Sequence, residues 1–191
     1  MRIEAEQDIR RELQSGERLL WTGSPRTGIR LQPADALLIP FSLLWGGFAV
    51  FWEASVIRTG AGGFFVFWGI PFVLVGLYIT VGRFFYDAWR RARTVYGLTN
   101  DRAIIINGGF NREVRTVSLR TLGEVGVSER RDGSGTITFG SSNGVYGLFA
   151  GSGWPAAGRY APVAFQAIDR VRDVQRRVTD AQKAALIGTS S

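Results

Sequence analysis

Residues 59–82 read TGAGGFFVFWGIPFVLVGLYITVG, 24 positions without a charged side chain. A hydrocarbon layer of about 30 Å needs about 20 helical residues, so this stretch is long enough to cross a bilayer. Pro71 within it suits a membrane helix, where neighbouring groups re-satisfy the freed carbonyl, and predicts a kink near Gly69–Pro71. Towards the N-terminus, residues 36–52 form a second uncharged run of 17 positions. It reaches a full span by extending past Glu53 to Ile57, with the carboxylate drawn to the interface. Trp45, Trp52, Trp68 and Trp89 stand among further aromatics near the ends, where an interfacial belt would lie. Two such runs side by side argue for a membrane hairpin over two buried helices of a soluble core. The first run begins 35 residues in, behind a charged segment and with no small-residue cleavage site, so it does not read as a cleaved signal peptide. Ser42 with Gly46, and Gly76 with Thr80, give the small-xxx-small spacing that lets helices approach; packing within the hairpin and dimerisation explain it equally well.

Outside the spans the 191-residue chain is polar and basic, with 22 Arg, one Lys, 16 acidic residues and a net charge of +7. It holds no Cys and no His. That excludes disulfides, thiolate nucleophiles, His-dependent triads and the common zinc sites. The arginines are spread along the chain, as codon bias alone would leave them; the other reading is proximity to anionic phosphates. No carboxylate cluster suits a metal. The Gly133-Ser-Gly135 stretch lacks the helix and the Lys-Ser/Thr of a phosphate loop. No basic face with interleaved aromatics predicts nucleic-acid binding. Neither an enzymatic activity nor a cofactor is expected.

The N-terminal segment predicts a short surface helix over 3–14, ending near Gly16. A strand over 17–23 follows, then a turn at Ser24-Pro25. From Thr94 the pattern becomes short strands with turn chemistry between them. Thr94–Thr99, the Asn100-Asp101 loop and Arg102–Asn107 form a tight hairpin. Further strands run over 113–119, 124–130 and 136–140, the last two joined by Asp132-Gly133-Ser134-Gly135, with a final strand over 164–168. The period then turns helical, with Val171, Val174, Val178, Ala181 and Ala185 as one apolar stripe and Asp169 as the expected N-cap. The strand before the first span is placed to pair with the β segments after the second.

These residues carry a resemblance. Tyr96-Gly-Leu-Thr-Asn-Asp-Arg102-Ala-Ile-Ile-Ile-Asn-Gly108-Gly, Val117-Ser-Leu, Val125-Gly-Val and Gly135-Thr-Ile-Thr-Phe-Gly140 are similar to the bacterial pleckstrin-homology (PH) domain membrane proteins. Gly16-Glu-Arg-Leu-Leu-Trp21-Thr-Gly23-Ser-Pro25 resembles the segment that precedes their membrane helices. The resemblance implies an α+β membrane protein, with a two-helix hairpin and a small PH-like antiparallel barrel or sandwich capped by a C-terminal amphipathic helix. The apolar runs and the placing of the arginines assign residues 1–35 to a cytoplasmic N-terminal segment and 36–89 to the hairpin, with spans at about 36–57 and 63–86. Residues 94–186 become the cytoplasmic PH-like domain and 187–191 a disordered tail. The family carries no catalytic set.

Three features are candidate sites. Arg83, Arg90, Arg91 and Arg93 follow the second span at headgroup level, where each basic residue near an anionic leaflet contributes about 1 kcal/mol; they read either as a topology signal or as lipid contacts. Residues 141–162 are glycine-rich and punctuated by Tyr146, Phe149, Trp154 and Tyr160, which either contact a partner or the bilayer, or fold back as a plug. Arg112, Arg115, Arg120, Arg130 and Arg131 accompany the strands as a solvated face or an anion pocket. The expected role is a membrane-anchored binding or scaffold module on the inner membrane that recruits protein partners. Anionic-lipid sensing and a non-catalytic subunit of a membrane enzyme are the alternatives. The sequence names no partner and no oligomeric state.

Arg18, Arg26 and Arg30 precede the first span and Arg83, Arg90, Arg91 and Arg93 follow the second, against Arg58 alone between them. By the positive-inside rule both termini are cytoplasmic. In this cysteine-free chain, Thr59→Cys should react with an impermeant maleimide on intact cells, and Ser190→Cys only after lysis. Labelling of Ser190→Cys on intact cells would reverse the orientation.

Overall fold

The computed structural model describes residues 2–28, 35–60, 62–109, 112–140 and 163–187. They divide into two compact units. One comprises residues 2–28, 88–140 and 163–187; the other comprises 35–87.

In the first unit, helix α1 (Arg2–Arg10) and strand β1 (Leu19–Gly23) come before the apolar segments. After them come β2 (Thr94–Thr99), β3 (Arg102–Gly108), β4 (Arg112–Ser118), β5 (Val125–Glu129), β6 (Gly135–Phe139), β7 (Val163–Ile168) and helix α5 (Val171–Ile187). Sheet A has the order β1-β2-β3-β4 and sheet B the order β5-β6-β7, with every neighbouring pair antiparallel. The two hairpins follow from their loop residues. Thr99 Oγ1 accepts the N–H groups of Asp101 and Arg102, at 3.2 and 3.0 Å, and so closes the two-residue turn between β2 and β3. Asp132 accepts the N–H and the hydroxyl of Ser134 in the β5–β6 loop. Those two bonds, with Arg26 after them, hold its carboxyl down at about 2.

The sequence-predicted pairing across the apolar segments is present: β1 lies antiparallel to β2, with Trp21 opposite Leu98 and Gly23 opposite Tyr96. Among the described residues no strand of one sheet pairs with a strand of the other, so the barrel is not closed and the unit is a two-sheet sandwich. Beyond the sheets, a backbone bond joins the flank of β1 to β7, from Arg26 N–H to the Ala167 carbonyl at 2.9 Å.

The main core lies between the sheets and α5. Phe165 is its aromatic centre, with ring centroids 4.8 Å from Phe139, 5.0 Å from Tyr96 and 5.5 Å from Trp21. All five stripe residues of α5 are buried in it. The expected N-cap is not realised as drawn. Asp169 gives its carboxylate to Arg26, and Arg170 precedes the helix at φ +48°. A second, smaller cluster lies on the other face of sheet A, where Ile9 of α1 is fully buried with Ile104 and Ile106. Gly97 makes this possible, because a Cβ there would lie 2.7 Å from Ile9 Cγ2.

The second unit is helical. Helix α2 (Asp35–Arg58) is followed by α3 (Gly63–Leu77), a π-helical turn (Tyr78–Gly82) and α4 (Arg83–Ala92), whose C-terminal end belongs to the first unit. Both α2 and the continuous helix 63–92 are long and apolar enough to cross a membrane. Their apolar side chains point outwards: Leu44, Phe64 and Phe67 are 72–78% exposed. The contact between α2 and α3 runs through small residues, as their spacing allows. A Cβ on Gly76 would lie 3.0 Å from Gly46 Cα, and Thr80 Oγ1 donates to Ser42 O at 3.3 Å. Pro71 sits inside α3. A π-helical turn follows at Tyr78–Gly82, where the sequence carries no breaker other than Gly82.

Ile137 is fully buried in the main core and Val114 on β4 is 37% exposed. Ile137→Ala should cost about 2–5 kcal/mol and Val114→Ala about 0.5 kcal/mol or less, measured by denaturant unfolding of the detergent-solubilised chain. Equal losses would contradict the assigned core.

Candidate functional site

The four candidate arginines all stand at the end of the second apolar segment, but the fold gives them different tasks. The π-helical turn is followed at once by Arg83, whose Nε donates to the Ile79 carbonyl at 2.8 Å. Its Nη1 bonds Asp35 Oδ1 at 2.6 Å, with both side chains no more than 5% exposed. The guanidinium also lies over the Phe84 ring, 4.4 Å from its centroid. Nη2 of Arg83 is buried and finds no hydrogen-bond partner among the described residues. Arg91 is buried too and donates to the Gly28 carbonyl at 2.9 Å. Arg90 is half-buried, while its carbonyl accepts the Thr94 hydroxyl. Arg93 is exposed and stacks over Trp89, 4.3 Å from the ring centroid. Of the four, Arg93 is the exposed one. Arg83 and Arg91 spend theirs on internal acceptors.

A buried ion pair is expensive to desolvate and rests on its geometry and added hydrogen bonds. Asp35 begins α2 and Arg83 follows the π-helical turn, so this pair clamps the two ends of the helical unit together. Glu53 behaves otherwise than expected. Its Oε2 is buried against Gly69 of α3 rather than drawn outwards, and it has no hydrogen-bond partner among the described residues.

The residues quoted for the family resemblance gain a physical account. Tyr96 and Leu98 are core side chains, and the Tyr96 hydroxyl accepts the Gln166 N–H at 3.1 Å. Thr99 ties the turn. Arg102 reaches back to the N-terminal segment, bonding Glu17 through Nε at 2.7 Å and Nη2 at 3.0 Å, and the Glu12 carbonyl at 2.8 Å. Burial pushes the Glu17 carboxyl up, but Arg102 and the Gln14 N–H outweigh it and hold the carboxyl below its usual range. This clasp was missed in sequence, although both ends lie within quoted motifs; nothing local links positions 17 and 102.

The remaining basic candidates are largely engaged as well. Arg112 pairs with Glu12, Arg115 with Glu113 and Arg120 with Asp101. Tyr146, Phe149, Trp154 and Tyr160 lie outside the described residues. Among the described residues no group of His, Cys, Asp and Glu could hold a metal ion.

A two-sheet sandwich closed by a C-terminal helix, with an apolar helical pair between its first and second strands, defines a PH-like domain with inserted helices. The family described as Bacterial PH domain matches residues 39–182, well over half of the chain, and the chain belongs to it. No curated protein and no solved structure matches it.

Asp35→Ala strands the buried Arg83 charge and should cost about 3–5 kcal/mol. The double variant Asp35→Leu/Arg83→Met removes both charges and should recover most of that loss. Thermal unfolding of the chain in detergent reads both; a double variant as unstable as the single would refute the clamp.

Proposed function

We propose that the chain is a membrane-anchored PH-like binding or scaffold module on the cytoplasmic face of a bacterial membrane, recruiting protein partners or supporting a membrane complex. Family membership supports the binding role, since the PH fold offers sheet faces and edges rather than a catalytic constellation. The observation that carries the anchoring is the outward-facing apolar surface of α2 and of the continuous helix 63–92, whose most apolar stretches are only 22% and 17% buried. In water such a surface is an aggregation liability, whereas in lipid it is matched solvent. A role as a non-catalytic subunit of a membrane enzyme is one form of this reading.

A second reading, sensing of anionic lipid, draws on Arg93, exposed at the end of the apolar helix, and on the half-buried Arg90 in the same turn. It draws on two of the four arginines, because Arg83 and Arg91 are bonded internally.

Alkaline carbonate washing of native membranes should leave the chain in the pellet, and cross-linking there should trap a protein partner. The Arg90→Gln/Arg93→Gln variant should keep that partner. Loss of the partner in this variant would favour the lipid reading, and release of a dispersed chain by carbonate would end the anchoring proposal.

A further inference from the structure

Strand β1 forms an edge of sheet A. β1 terminates sheet A: one side of it pairs with β2, and among the described residues no strand pairs with the other. None of its five residues is buried. The two helices of the unit flank that second side on opposite faces of the sheet. α1 packs through Ile9 on the face that carries Ile104 and Ile106, whereas α5 packs in the main core with Tyr96 and Ile105. The result is a groove of about 2000 Å³ lined by all of β1, by Glu6, Asp8 and Arg10 of α1, and by the exposed side of α5.

Three properties of the groove select its occupant. First, an unpaired strand edge offers alternating N–H and C=O groups, which another extended backbone satisfies in full. Second, the pairing register skips Leu20 at a bulge between Leu19 and Trp21, so this residue stands outside the β1–β2 ladder and is 40% exposed in the groove. A bulge re-aims a side chain, and here it supplies an apolar anchor beside the polar edge. Third, six acidic and six basic described side chains line the groove. Several neutralise one another, as in Glu6–Arg10, Arg26–Asp132 and Asp173–Arg176. Such walls present no net field to an anionic headgroup or a nucleic acid. They suit a polypeptide held by its main chain.

We infer that the β1 edge, with Leu20 as its side-chain anchor, binds an extended segment of a partner protein, which adds to sheet A as a fifth strand. This deepens the binding-module reading and rests on it.

The test uses the full chain in nanodiscs of zwitterionic lipid and a displayed library of random linear peptides as the probe. Selected peptides should lose roughly tenfold or more in affinity when N-methylated at one alternate set of residues, and less than about twofold at the other set. That alternation marks strand addition; side-chain docking does not produce it. Leu20→Ser should weaken the unmodified peptide by roughly tenfold while leaving the unfolding midpoint in place. If Leu20→Ser unfolds the chain, the methylation pattern still decides. The selected peptide should also displace the partner cross-linked in native membranes. Failure to select any peptide, sensitivity without alternation, or a partner that the peptide does not displace overturns the groove and leaves the binding module standing. A chain that cross-links to no protein in its membranes removes the binding-module reading itself.

Discussion

The pairing of β1 with β2 is the constraint on which the PH-like unit depends. It joins backbone laid down before the apolar helices to backbone laid down after them. The Arg18 N–H, for example, bonds the Asn100 side chain across 82 positions. Closing so long an excursion is entropically tolerable, because closure cost grows only with the logarithm of loop length. The excursion is itself folded: α2 and α3 pack on Gly46 and Gly76, and Asp35 and Arg83 hold the ends of their unit. The Glu17–Arg102 clasp then reinforces the return, since a side chain in the loop between α1 and β1 meets the first residue of β3. Strand β1 is thus a full member of sheet A although its sequence lies on the far side of the apolar segments.

The helical unit needs a different kind of bond. Its apolar side chains face outwards rather than towards one another, so small residues and internal hydrogen bonds set the packing of the two helices. Ser42 is 1% exposed, and its carbonyl accepts Thr80. At one end of the pair the ion bond of Asp35 and Arg83 adds direction. A buried ion pair is weak evidence for stability, but it penalises every arrangement that separates the charges. Register between the helices is the property it can fix, and its position beside the π-helical turn fits that role. The wider turn changes the helical phase just before Arg83, and the Arg83 Nε then bonds back into the turn at Ile79.

Local features were legible in the sequence and long-range ones were not. The β2–β3 and β5–β6 hairpins follow from Asn100-Asp101 and Asp132-Gly133, because turn chemistry is written in adjacent residues. The α5 stripe follows from a 3.6-residue period, and all five of its members are core. The two apolar helices follow from length and charge alone. The π-helical turn, the Asp35–Arg83 pair, the inward Glu53 and the Glu17–Arg102 clasp each depend on what lies opposite in space. Asp169 fits the same division. Its residue type and place beside a helix predict a cap, but Arg26 arrives from a distant segment and takes the carboxylate. Among the candidate site residues, the arginine cluster was visible as a run of charge; that Arg83 and Arg91 are turned inwards was not.

That inward turn bears on what the excess of positive charge means. A net charge of +7 invites an electrostatic footprint for phosphates. In the fold, however, three arginines serve as branched hydrogen-bond donors. Arg83 spans a carboxylate and a carbonyl, Arg102 a carboxylate and the Glu12 carbonyl, and Arg26 two carboxylates. A planar fork that stays charged when buried does this better than the compact ammonium of lysine. The near-absence of Lys therefore has a structural use here, whatever its genomic origin.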